Sequence, residues 1–302
     1  MPETPWASSL QRTRPFSIHA TRIRQLIALF ASVGSILTSP LSTIAASAFG
    51  GPPDANTIIQ RSVQALRSDW QMAPRFNYTE RDVVDRGTRT YQVMMISGSP
   101  YQRLIAVNEQ PLSAHEQDKE QQKLNRVIAA RRKESADQSR RRIAAFQKER
   151  ERDRRLTEEL TKAFNFKVSG EETVNSRSTY VLLASPKPSY HPPDEETKVL
   201  TGMRGKLWID KATFEWVKVE AEVIHPVSIA GFLATVEPGT KFELERGPVT
   251  RGVWLPTHFS ARSTAKILSI VGHHTETDEF YFGYKMADSP PRTIGAADTR
   301  NK

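Results

Sequence analysis

The strongest constraint on the fold is an alternation of apolar and polar side chains between residues 164 and 284. In the run 215–224, one set of alternate positions is Val217, Val219, Ala221 and Val223, and the other is Trp216, Lys218, Glu220 and Glu222. Successive side chains of a strand point to opposite faces, so the first set predicts a buried face and the second a wet one. Eight such runs predict a large curved antiparallel sheet: 164–172, 178–184, 204–210, 215–224, 232–245, 253–261, 265–271 and 275–284.

Residues 54–107 predict a helix followed by a β-meander. Asp54 stands at an N-cap position, and the apolar residues after it recur at helical spacing up to Leu66. These residues are Ile58, Ile59, Val63 and Leu66. Three extended runs follow, 76–85, 88–97 and 101–107, and turn residues separate them. Together with the later runs, they indicate one α+β domain whose sheet is a half-open antiparallel barrel packed on the helix.

Residues 112–163 contain neither Gly nor Pro and consist mainly of strong helix formers, so they predict one long helix or a helical hairpin. The segment holds 15 basic and 10 acidic residues, a net charge of +5. Its apolar residues are sparse, and residues 131–142 include no large apolar side chain. We therefore expect this charged insertion to stand off the body, either as a solvated helix or as a contact for an anionic partner.

The first 48 residues read as a secretory signal peptide. Four arginines within residues 12–24 precede an apolar run at 26–37, and Ala46-Ser47-Ala48 supplies the small residues of a cleavage site after Ala48. The alternative is a short N-terminal membrane anchor. We expect export to the periplasm or the exterior, a single domain at 49–288 and a disordered tail at 289–302.

The chain offers no clear catalytic motif. It has no cysteine, which excludes disulfides, thiol nucleophiles and Cys-ligated metals. Neither a G-x-S-x-G elbow nor a phosphate-binding glycine loop occurs. His274, Glu276 and Asp278 share a face of one strand, and His258 is isolated in another, but this spacing does not supply a metal geometry. We expect no enzymatic activity, no cofactor and no metal site.

The predicted strands carry many large apolar residues, although the sequence around them is rich in charge. Most of them could simply fill a core, but a half-open barrel with apolar inner walls could also hold an acyl chain. The candidate ligand-binding residues are Trp208, Trp216, Phe232, Leu233, Trp254 and Ile267.

The stretch Arg204-Gly205-Lys206-Leu207-Trp208-Ile209-Asp210, followed directly by the strand 214–219, resembles the LolA/LolB-like periplasmic lipoprotein carriers. The resemblance implies an unclosed antiparallel barrel with helices as a lid, and an apolar cavity that binds lipid or lipoprotein acyl chains. The simple carriers lack the charged insertion 112–163, and no cysteine follows the signal, unlike in lipid-anchored members.

Two functions follow as hypotheses. The first is an exported, non-enzymatic carrier of a hydrophobic ligand. The second is a cell-envelope sensor or interaction protein whose basic helix 112–163 binds an anionic partner, either an envelope protein or an anionic membrane surface. Nucleic acid is not expected as a partner, because the protein is exported and no aromatic residues interleave the arginines.

Overall fold

The computed structural model describes residues 53–84, 87–195, 197–229, 234–267 and 271–287. The predicted signal peptide at 1–48 and the predicted tail at 289–302 lie outside these residues. Most of the described chain forms one antiparallel sheet of thirteen strands. The strands are β1 Phe76–Val84, β2 Gly87–Ile96, β3 Ser99–Val107, β4 Gln110–Pro111, β5 Phe164–Val174, β6 Arg177–Pro186, β7 Met203–Asp210, β8 Trp216–Val223, β9 Val227–Ile229, β10 Ala234–Val236, β11 Lys241–Thr250, β12 Val253–Ile267 and β13 Val271–Met286.

The sheet is open, with β4 at one end and β5 at the other. Its strand order is β4-β3-β2-β1-β13-β12-β11-β8-β7-β6-β5, and β10 pairs with β12 and β9 off this path. The prediction of an unclosed antiparallel sheet with a β1–β2–β3 meander is therefore confirmed. The predicted strand 232–245 is instead divided into β10 and β11, and the predicted break near residue 263 is absent because Ser263 pairs with Thr275 in a continuous ladder.

Helix α1, Ala55–Met72, lies against the core of the sheet. Its N-cap is Asp54, as predicted, whose carboxylate accepts hydrogen bonds from the backbone N–H groups of Asn56 (2.8 Å) and Thr57 (3.0 Å). The predicted apolar stripe is buried, and Ile58 and Leu66 have no exposed surface. The helix continues one and a half turns past Leu66, which brings further side chains onto the sheet.

The charged insertion forms two helices, α2 (Ala114–Lys133) and α3 (Ala136–Ala163). Between them Glu134 and Ser135 have extended rather than helical backbone angles. Ser135 begins α3 with a capping box, in which its side chain and that of Gln138 each accept a hydrogen bond from the other's backbone N–H. None of the described helices is both long and apolar enough to cross a bilayer.

The insertion does not stand off the body, so that part of the prediction was wrong. Helix α3 contacts β3 at one edge of the sheet and β5 at the other, and it also contacts α1. Its 28 residues give it a length of about 42 Å, enough to span the open side of the sheet. Two of its few apolar side chains are not left in solvent: Ile143 is buried, and Leu160 packs against the core cluster.

Two arginines fix the elbow between α2 and α3 to the β2–β3 hairpin. Arg131 donates hydrogen bonds to the carbonyl oxygens of Ile96 (2.7 Å), Ser99 (2.9 Å) and Pro100 (3.1 Å). Arg142 donates to the hydroxyl of Ser99 at 2.7 Å. From the sequence these arginines are expected to face solvent or an anionic partner, whereas their guanidinium groups provide the contacts that sparse apolar residues could not.

A β-bulge at the start of β8 changes which side chains face the core. The register pairs Trp208 with Lys218 but Ile209 with Trp216, which leaves Val217 as an extra residue. Trp216 therefore lies in the same buried cluster as the core-facing residues of the rest of β8. The predicted placement of Trp216 on the opposite face was wrong, because the bulge shifts the alternation by one residue.

Candidate ligand site

An apolar cavity lies between the helices and the half of the sheet formed by β5 to β8. The centre of a water-sized sphere can occupy about 40 Å³ of it, and the empty space is about 470 Å³ when the open mouth and the solvent in it are included. Apart from Thr161 and Arg204, the lining residues are apolar. Its lining residues are Ile59 and Val63 of α1; Leu160 and Thr161 of α3; Phe164 and Phe166 of β5; Ala184 of β6; Leu200 of the 3-10 helix Thr197–Gly202; Met203, Arg204, Gly205 and Leu207 of β7; and Trp216, Val219 and Ala221 of β8. Concave apolar spaces of this kind accept hydrophobic ligands.

Arg204 is the charged residue among those that line the cavity. Its side chain is 63% exposed, and its guanidinium pairs with the carboxylate of Glu222 at 2.6 Å. Its charge therefore lies outside the apolar walls. This arrangement leaves the interior suited to hydrocarbon and to little else, because an unpaired polar group moved into it would lose its hydrogen bonds to water.

Trp216 ties the cavity wall to α1. Its indole N–H donates a hydrogen bond to the hydroxyl of Ser62 at 3.0 Å, and that hydroxyl donates to the carbonyl oxygen of Ile59 at 2.9 Å. Both side chains are buried. The polar atom of the tryptophan is thus satisfied, and its ring can present an apolar surface to the cavity.

A buried charge cluster holds the C-terminal half of α1 to the sheet. Arg246 of β11 pairs with Asp69 of α1 at 2.8 Å and with Glu215 at 3.3 Å. The carboxylate of Asp69 also accepts the backbone N–H of Trp254 at 2.9 Å, and the carbonyl oxygen of Trp254 accepts a hydrogen bond from Arg246 at 2.6 Å. The two terminal nitrogens of Arg246 thus have the counter-charges and hydrogen bonds that a buried charge needs. Its Nε has no hydrogen-bond partner among the described residues.

Glu215 is the second carboxylate beside a single arginine. Burial raises the pKa of Glu215 to about 8; Arg246 opposes this rise, and the neighbouring Asp69 adds to it. At neutral pH the protonated form of Glu215 is therefore favoured.

The other half of the concave face is polar. Asp82 of β1 pairs in register with Glu279 of β13, and Glu80 with Tyr281, so these side chains share one face. Tyr281 packs against the core cluster, and its hydroxyl donates to the carboxylate of Glu279. Burial raises the pKa of Tyr281 well above its usual range. The apolar part of the concave face is therefore the β5–β8 half.

The structure places the sequence-predicted site residues in different parts of the molecule. Trp216 lines the cavity. Trp208 lies on the opposite face of the sheet, where its indole N–H donates to Glu172 at 2.6 Å. Trp254 lies beside the buried charge cluster, with the guanidinium of Arg177 4.5 Å from the centre of its ring.

The side chains of three further candidates lie outside what the structure describes. Phe232 and Leu233 lie outside the described residues, and of Ile267 only the backbone, at the end of β12, is described. They stay predictions. Most of the cavity wall, including Leu160 of the charged insertion and Leu200 of the 3-10 helix, is absent from the residues predicted from the sequence. Ile59 and Val63 could have been found, since they belong to the amphipathic stripe of α1 and every helix stripe must face something.

His258 is not isolated, in contrast to its appearance in the sequence. The register pairs it with Glu245, and ligand atoms of Glu243, Glu245 and His258 all lie within 4.8 Å of one another. These three groups are the described residues that could hold a cation on the outer face. Lys218 already lies 3.0 Å from the carboxylate of Glu243, and Asp278 lies 3.2 Å from His258 Nε2.

No protein-family model matches the sequence, and no curated protein matches it. Among solved structures, the chain is similar to an outer membrane lipoprotein-sorting protein domain from Vibrio parahaemolyticus, with 11% identity over 79% of this chain and 94% of that one, and a TM-score of 0.33. A LolA superfamily protein from Nitrosomonas europaea is 11% identical over 79% of this chain and 96% of that one, with a TM-score of 0.30. A chain of the MucA/MucB complex of Pseudomonas aeruginosa is 8% identical over 78% of this chain and 99% of that one, with a TM-score of 0.21. LolA-superfamily proteins, which residues 204–219 resemble, are thus among the structures similar to this chain.

Proposed function

We propose that the protein is an exported, non-enzymatic carrier that binds the acyl part of a lipid or lipoprotein in the apolar cavity between the helices and β5–β8. The observation that supports this proposal is an apolar cavity between α1, α3 and the sheet, which opens to solvent and has about 470 Å³ of empty space when its mouth is included. Each methylene group buried there contributes about 0.8 kcal/mol to binding. The acyl chain is the ligand class whose lack of polar atoms suits such walls.

A long acyl chain requires the roof to move. The enclosed part of the space, about 40 Å³ for the centre of a water-sized sphere, is too small for a long acyl chain, so such a chain displaces α1 or α3 outward as it enters. Helix α1 is joined to the sheet by the Trp216–Ser62 hydrogen bond and the Asp69–Arg246 ion pair. Uptake therefore competes with the contacts that hold α1 closed.

The test is binding of a fluorescent fatty acid to the chain from Phe49 onward, together with native mass spectrometry of the purified protein. Ala221→Trp fills the cavity, whereas Ala212→Trp adds the same bulk at an exposed turn. We expect Ala221→Trp to lower affinity at least tenfold and Ala212→Trp to leave it unchanged. Equal affinity in the two variants, or a protein that takes up no acyl ligand, would contradict the proposal.

The interaction function stays as a second proposal, because the insertion carries many exposed cations. Deleting 112–163 does not separate the two functions, since Leu160 and Thr161 of α3 line the cavity. Neutralising exposed arginines and lysines does separate them. A carrier keeps its acyl binding after neutralisation, whereas an interaction protein loses its partner.

A further inference from the structure

Three exposed cations form a line along α3. Arg141, Lys148 and Arg155 are spaced seven residues apart, which is close to two helical turns, so they lie on one face. All three are exposed. The line extends over about 21 Å of helix, a flat arrangement of charge on a rigid element.

Two more exposed cations, Arg132 and Lys133, end α2 at the elbow that leads into α3. The elbow is held in place by Arg131 and Arg142, which point inward to the β2–β3 hairpin. We call the five exposed residues the basic surface: Arg132, Lys133, Arg141, Lys148 and Arg155. Its charges are therefore carried on a fixed support and need little ordering when they bind.

The cations of the basic surface are available to a partner. Within the described chain, these five residues form no ion pair, whereas nearby Arg140 pairs with Asp137 and Arg154 with Glu151. Asp137 and Glu149 are exposed carboxylates beside them and Glu151 is a partly exposed one; Asp137 and Glu151 are the two already paired with Arg140 and Arg154. Unpaired cations on one surface attract an anionic surface over about a Debye length, ~8 Å at physiological salt.

The surface lacks the features of a protein-binding site. None of the described residues of α2 and α3 is an exposed large hydrophobic side chain; the exposed ones are Val84, Leu183, Phe282 and Met286, all on the sheet. Protein interfaces are built around a buried apolar or aromatic centre. A membrane of anionic lipids requires only basic residues close to its headgroups.

We infer that the basic surface docks the protein onto a membrane of anionic phospholipids. This inference goes beyond the proposed carrier function and depends on the surface charge alone. In the docked state the exposed basic face of α3 lies next to the bilayer. High salt releases the protein, because the attraction is between charges at the surface.

The test is co-sedimentation of the chain from Phe49 onward with phosphatidylcholine vesicles, prepared with and without phosphatidylglycerol, at low and high salt. We expect binding only to the anionic vesicles at low salt. The variant Arg141→Gln/Lys148→Gln/Arg155→Gln should bind about 100-fold more weakly, from the usual contribution of each basic residue near such a surface. A matched control, Lys167→Gln/Lys241→Gln/Arg251→Gln, removes three exposed cations from the sheet and should bind within a few-fold of the wild type.

Two checks separate docking from folding and from ligand binding. Arg141→Lys/Arg155→Lys retains the charge and should bind vesicles like the wild type. Fatty-acid affinity measured without vesicles should be the same in all variants, so a failure of the carrier function is seen independently. An equal loss in the α3 variant and the sheet control would overturn the inference. Absent vesicle binding combined with capture by polyglutamate would overturn it too, and would point to an acidic protein instead.

Discussion

Asp69 and Arg246 are 177 residues apart in the chain, and their side chains form an ion pair of 2.8 Å with almost no exposure to solvent. The pair joins α1, part of the cavity roof, to β11 in the sheet. Both partners also hydrogen-bond the backbone of Trp254. The closed position of α1 is thus fixed by charge in addition to the burial of Ile58 and Leu66.

Removing one partner of this pair should strongly destabilise the protein. Asp69→Asn leaves Arg246 buried with reduced compensation, and breaking a buried pair in this way costs about 3–5 kcal/mol. The measurement is urea unfolding followed by circular dichroism. The control is Glu276→Gln, which breaks an exposed pair with Arg262 and should change stability by about 0.5 kcal/mol or less. If the two variants are equally stable, the buried pair does not hold α1.

Glu215 should make stability depend on pH in a definite direction. Its pKa is about 8 in the folded protein, against an ordinary value of 4.5. Between these values the folded state binds more protons than the unfolded state, so stability falls as pH rises. This stabilising contribution, about a few kcal/mol, is fully present below pH 4.5 and is lost as the pH rises through 8.

The measurement is the free energy of unfolding from pH 5 to 9 in the wild type and in Glu215→Gln. The variant cannot ionise at this position, so its stability should decline less with pH than that of the wild type. Glu276→Gln, which lies on the surface, should follow the wild-type curve. Parallel curves for all three proteins would show that Glu215 does not titrate as we predict.

The strand pattern and the first helix could be predicted because each depends on a local period. The run 215–224 shows the limit of this approach. A bulge at Val217 moves Trp216 to the core face, and no residue in the run signals the extra position. The register between β7 and β8 decides it, and register is a property of two strands.

The charged insertion was misjudged for a different reason. Sparse apolar residues normally mean little burial, but Arg131 and Arg142 make long-range hydrogen bonds to carbonyl and hydroxyl groups of the β2–β3 hairpin. A sequence shows that an arginine is present and does not show which carbonyl groups will be near it. The cavity was missed likewise, since Leu160 and Leu200 meet across the fold only when α3 and the 3-10 helix are in place.

The elbow contacts can be tested by hydrogen exchange. Arg131→Gln removes charged hydrogen bonds to three carbonyl groups, each worth about 1.5–3 kcal/mol in favourable cases. We expect faster amide exchange in the C-terminal turns of α2, the first turns of α3 and the β2–β3 hairpin. The neighbouring Arg132→Gln removes an exposed side chain and should leave exchange unchanged. Unchanged protection in Arg131→Gln would mean that the elbow is held by other contacts.

Tryptophan fluorescence can show which face of the sheet a ligand occupies. Trp216 lines the cavity, whereas Trp208 lies on the other face beneath the ammonium group of Lys206, 4.4 Å from its ring centre. An acyl chain in the cavity should alter the emission of Trp216 and leave that of Trp208 unaltered. Trp216→Phe should therefore abolish most of the fluorescence change caused by a fatty acid, and Trp208→Phe should preserve it. Because Trp216→Phe also removes the bond to Ser62, Ser62→Ala serves as its control and should retain the fluorescence change. A signal that disappears in Trp208→Phe instead would place the ligand on the outer face.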